Sequence, residues 1–73
     1  MDQQEIISGF ERRAAALKLP IGEICQRAAV HPTTFSRWKL SEKNPDPISA
    51  TMKSLQAIEV ALAAEEEARR IAA

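Results

Sequence analysis

The sequence predicts an all-α domain of four helices, the last of them long, and three observations predict it. Apolar residues recur at steps of three and four, the period of one helix face. Prolines stand at 20, 32, 45 and 47, at the edges of those periodic stretches and not inside them. From Ile48 onward the chain has no Pro or Gly and is rich in Ala, Glu, Lys and Leu, all good helix formers.

The first helix is expected over Asp2 to Lys18, where Ile6, Phe10, Ala14 and Leu17 form one apolar stripe. Leu19-Pro20 ends it, because the residue before a proline is pushed out of the helical region. A second helix starts at Pro20 or Ile21, with Glu23 suited to its positive N-terminal turn. Ile24 and Ala28 stack at i and i+4 with Cys25 beside them, which turns that face inward. After the short connection Ala29-Val30-His31, a third helix begins at Pro32. His31 is expected to be extended and to cap it, and Pro32 fits the first helical position. Phe35 and Trp38 form its buried side, while Thr33, Ser36 and Arg37 at i, i+3 and i+4 share the exposed one.

Leu40 to Pro47 reads as a loop, since Asn-Pro and Asp-Pro in quick succession forbid a regular helix. Asp46 or Ser49 is the expected cap of the last helix, placed at about 48–71. Met52, Leu55, Ile58 and Leu62 give it an apolar stripe that weakens to Ala64, Ala68 and Ile71. Glu65–Arg69 and Glu66–Arg70 are expected i, i+4 pairs. A helix from 48 to 71 would span roughly 35 Å, longer than a three-helix core covers, so its final turns should project, fray or meet another subunit.

At 73 residues the chain is read as a single domain over 1–73. A domain of this size buries only about 60% of its unfolded surface, so a partner subunit would help it. No apolar run reaches the ~20 residues that cross a bilayer. The acidic, polar N-terminus does not resemble a secretory signal, and a cytoplasmic location is expected. One cysteine, Cys25, and one histidine, His31, make neither a disulfide nor a zinc site. No Gly-rich phosphate loop or acid–base pair stands out, so no enzyme, cofactor, metal or small-molecule ligand is expected. Cys25 is read as a small buried core residue.

Net charge is zero, but its distribution is uneven. Arg27, Arg37, Lys39 and Lys43 stand against Glu42 alone between residues 27 and 43, a local +3, while Glu59 to Glu67 holds four glutamates and no base. The positive part coincides with residues 21–39, two short helices about a tight turn. That is the pattern of a helix-turn-helix, which lays its second helix in the DNA major groove.

The inward residues Ile24, Cys25, Ala28, Ala29, Val30, Phe35 and Trp38 carry a resemblance, together with TTFSRWK (Thr33 to Lys39) and SLQAIEVAL (Ser54 to Leu62). Over roughly half of the chain it resembles the Cro/repressor (XRE-type) helix-turn-helix regulators, which have the lambda-repressor-like DNA-binding fold. It departs from them at Cys25, where alanine is common, and at Ala29, where glycine opens the turn. Alanine with a left-handed backbone costs about 1 kcal/mol.

The resemblance implies base contacts from the start of the third helix and one turn on, here Thr33 and Arg37 with Ser36 flanking. Arg37 suits a bidentate contact to guanine and Thr33 a base edge or thymine methyl. Arg27, His31, Thr34, Lys39 and Lys43 are the expected phosphate contacts, which position without reading sequence. Leu62, Ala64, Ala68 and Ile71 are the expected dimerisation edge. The function implied is a sequence-specific double-stranded DNA-binding transcriptional regulator, in the first instance a repressor, from a phage or other mobile element. It would act as a homodimer on an inverted-repeat operator. The alternative is a protein-interaction module on a helix-turn-helix scaffold, an antitoxin or anti-defence factor.

Overall fold

The computed structural model describes the backbone of residues 2–72 and the side chains of residues 2–70. Four helices follow one another: α1 (Gln3–Ala16), α2 (Ile21–Arg27), α3 (Pro32–Trp38) and α4 (Met52–Ala72). Among the described residues there is no strand, only an isolated bridge between Ser41 and Asn44. The domain is elongated, 41 × 23 × 22 Å, along the direction a long helix would impose. No helix among the described residues is long and apolar enough to cross a membrane.

Helix boundaries follow from capping chemistry. The Asp2 side chain accepts the Gln4 N–H and starts α1. At its other end Lys18 takes a left-handed backbone, φ 59°. Leu19 N–H then reaches the Ala14 carbonyl (3.0 Å) and Lys18 N–H the Ala15 carbonyl (2.9 Å). These are the two bonds of a Schellman motif, and they end α1 before Pro20 is reached. The same closure recurs on α2. Ala29 has φ 59°, Val30 N–H donates to Cys25 and Ala29 N–H to Gln26. The left-handed backbone expected at Ala29 is present; that at Lys18 has no counterpart in the sequence reading.

The start of α4 is a correction. It begins at Met52, not Ile48, and its cap is Thr51, whose Oγ1 accepts the Ser54 N–H at 3.1 Å. Neither Asp46 nor Ser49 takes that role, because residues 48–50 are held out of the helix by other partners. Ile48 N–H donates to the Arg37 carbonyl and Ala50 N–H to Gln3 Oε1.

Ile7, Phe10, Ala14, Leu17, Ile24, Cys25, Val30, Phe35, Trp38, Ile58 and Leu62 form one core. Two stripe residues move. Ile7 replaces Ile6 as the first buried residue of α1, and Met52 is 68% exposed. Phe35 and Trp38 pack with centroids 5.6 Å apart and rings tilted by 57°, an edge-biased contact favoured by their quadrupoles. Cys25 is fully buried, and desolvation pushes its thiol pKa up, away from reactivity.

Candidate nucleic-acid interface

The short α3 is fixed at both ends. His31 is extended, as expected, and its Nδ1 accepts the Thr33 N–H at 3.1 Å. A buried Phe35 and Trp38 anchor one side, leaving Thr33, Ser36 and Arg37 exposed and Thr34 half-buried. At the C-terminal end the carbonyls of Arg37, Trp38 and Lys39 find side-chain donors. The Trp38 carbonyl accepts from Gln3 Nε2 (3.1 Å) and Gln4 Nε2 (2.7 Å). The Arg37 and Lys39 carbonyls accept from Asn44 Nδ2 at 2.9 and 2.8 Å.

Gln3 and Gln4 do more than cap. Gln3 also donates to the Ile48 carbonyl and accepts from Ala50 N–H, and Gln4 accepts from Leu40 N–H. Two adjacent amides of α1 thus tie down the chain on either side of the 41–47 loop. Sequence reasoning missed both, because a glutamine near a helix start carries no local mark of a partner more than thirty residues away. Asn44 was missed too, although an Asn before Pro in a turn is a recognisable signal for such bonding.

The cations sort into two groups. Arg27 is held by Glu23 (3.3 Å) and by Glu65 of α4, and Lys39 Nζ lies 2.7 Å from Glu11. Arg37 and Lys43 are exposed and have no carboxylate partner among the described residues. Of the residues expected at the interface, Thr33, Thr34, Ser36 and Arg37 lie on α3, Lys39 and Lys43 after it, His31 before it and Arg27 on α2. Two of the five phosphate candidates already carry intramolecular anions.

The glutamates of α4 correct the sequence reading. Glu65 and Glu66 do not form the expected pairs with Arg69 and Arg70. Glu65 reaches Arg27, and Glu66 takes Arg13 in a two-pronged contact (2.6 and 3.0 Å). Glu59 joins at 2.7 Å on the same guanidinium. The donor chemistry of the two choices is the same, an arginine fork in each case; the packing of α1 and α2 on α4 brings Arg13 and Arg27 against these carboxylates. The Glu66 hydrogen bond above all holds Arg13 more firmly protonated, opposed by desolvation and helped by Glu59. Arg13 in return lowers the Glu66 pKa. Positive and negative segments remote in sequence are thus neighbours in space.

The expected dimerisation edge changes as well. Leu62 is fully buried in the chain's own core and offers nothing to a second subunit. Ala64 and Ala68 are exposed, and the side chain of Ile71 lies outside those described.

No protein-family model, curated protein or solved structure matches this chain.

Proposed function

We propose that the chain is a sequence-specific double-stranded DNA-binding regulator, with α2 and α3 as a helix-turn-helix and α3 as its reading helix. It would work in the cytoplasm as a homodimer on an inverted repeat, with repression as its first expected effect and a phage or other mobile element as its source. The observation that carries this reading is the division of α3. Phe35 and Trp38 are buried, while Thr33, Ser36 and Arg37, which has no ion-pair partner among the described residues, share the outer side. A rigidly capped short helix with a free guanidinium is what major-groove readout needs. Lys43 supplies a free phosphate contact. Arg27 and Lys39 would exchange a carboxylate for a phosphate on binding, and His31 and Thr34 flank the same helix.

Selection of bound sequences from random duplex DNA tests the proposal. An inverted repeat is expected, with affinity falling steeply as salt rises and Arg37→Ala relaxing preference by about 1–3 kcal/mol at one base position. Affinity in the millimolar range at low salt, indifferent to Arg37→Ala, would overturn it.

One observation favours a second reading, a protein-interaction module on the same scaffold. With zero net charge and carboxylates already on Arg27 and Lys39, the face is less positive than DNA binders usually present. In that case capture of a protein partner would survive salt that abolishes DNA binding.

A further inference from the structure

Gly9 sits in the middle of α1 with nothing in the domain to account for it. Its backbone is not left-handed, and a Cβ added there would meet no atom within 4 Å. Glycine at such a site only weakens the helix relative to alanine. A missing side chain does, however, let another molecule approach the helix closely.

Gly9 lines a groove of about 380 Å³ between α1 and α4, beside Ile6, Phe10 and Leu55. Met52, two-thirds exposed at the start of α4, lines the same groove. The charged groups divide in the same way. Glu5 lines the groove and Lys53 adjoins Met52. Both are exposed, and neither has an ion-pair partner among the described residues. By contrast, Arg13 and Glu59, which also line it, are already paired within the chain, Arg13 being shared with Glu66.

We infer that this groove is the face on which a second copy of the chain docks, each Met52 entering the other copy's groove beside Gly9. The choice of occupant rests on the homodimer reading above and on self-complementarity. A two-fold interface presents one patch to itself, so that patch must carry both the projection and the recess, and both signs of charge. This patch does, with Met52 against the open side of the partner's Gly9 and Lys53 against the partner's Glu5. Methionine also suits such a seat, being unbranched and able to fill an irregular apolar recess.

The opposite demands on Gly9 give the experiment, sedimentation of the full chain without DNA alongside thermal melts at low concentration. Wild type should dimerise with a dissociation constant in roughly the micromolar range. Gly9→Ala should raise the melting temperature of the dilute domain by about 4 °C and weaken association about tenfold or more. Met52→Glu should weaken association without lowering the dilute melting temperature. Glu5→Lys should weaken it also, and adding Lys53→Glu should restore it. A chain that stays monomeric at about 500 μM, far above the range in which stable dimers form, overturns the inference. So does a dimer indifferent to Gly9→Ala and Met52→Glu. DNA binding is scored separately: a groove dimer that ignores DNA ends the regulator reading and leaves this interface standing.

Discussion

The side-chain amide of Gln4 donates to the Trp38 carbonyl at 2.7 Å, joining the first turn of α1 to the last turn of α3. The same amide accepts the Leu40 N–H, so one residue bridges the end of α3 and the chain leaving it. Gln4→Leu keeps the volume and removes both bonds. We expect a stability loss of about 1–2 kcal/mol, two modest hydrogen bonds in a half-buried site. Hydrogen exchange at the Leu40 amide should accelerate by about tenfold or more, while core amides such as Ile58 change only with global stability. Equal acceleration at both amides would show that Gln4 serves global stability and not the end of α3.

Ala29 and Lys18 hold left-handed backbones that glycine adopts without steric cost. Ala29→Gly and Lys18→Gly should each stabilise the domain by about 0.5–1 kcal/mol, the relief of Cβ crowding less the added entropy of the unfolded chain. Melting temperature measures it directly. The two sites lie on different Schellman closures, so their effects should add. A destabilised Ala29→Gly would mean that its Cβ makes a contact outweighing the strain.

These residues show what the sequence could carry. Ala29 was legible through the resemblance, which implies a glycine, and with it a left-handed backbone, at that position of the turn. His31 and Pro32 were legible from the residues themselves, since capping depends on three consecutive residues. Lys18 was hidden behind Pro20, a louder stop signal that would have ended α1 anyway. The start of α4 was misplaced because propensity from Ile48 favours helix, whereas Gln3 and the Arg37 carbonyl claim residues 48–50 first. Charge pairing was least legible. Glu66 has an ideal local partner in Arg70 and takes Arg13, 53 residues away, because packing of α1 on α4 decides which guanidinium is near.

The Arg13–Glu66 contact should appear in the pH dependence of stability. Arg13 lowers the Glu66 pKa, so the unfolded chain binds the proton more tightly. The stability gained is present above the ordinary carboxylate pKa of about 4.3 and is lost as pH falls through the folded value below it. With the two side chains 31% and 40% exposed, solvent screening holds the contribution to about 0.5–1 kcal/mol at neutral pH. Glu66→Gln should remove that amount at pH 7 and little at pH about 3, flattening the acid limb of a urea-denaturation series. An unchanged slope between pH 5 and 3 would mean the pair persists in name only.

Leu62 separates the domain's own core from any surface between copies. At 0% exposure it packs with Ile58 in the cluster that α4 closes over the other helices. Leu62→Ala should cost about 2–5 kcal/mol, the lost transfer free energy plus the cavity left behind. For so small a domain that is a large share of the total, and much of the population should unfold at 25 °C. The loss should be the same at low and high protein concentration, since a core substitution lowers stability equally at every concentration whereas an interface substitution acts only where the copies associate. If Leu62→Ala instead left the dilute domain folded and shifted only its association, α4 would pack differently from the arrangement described, with Leu62 turned outward.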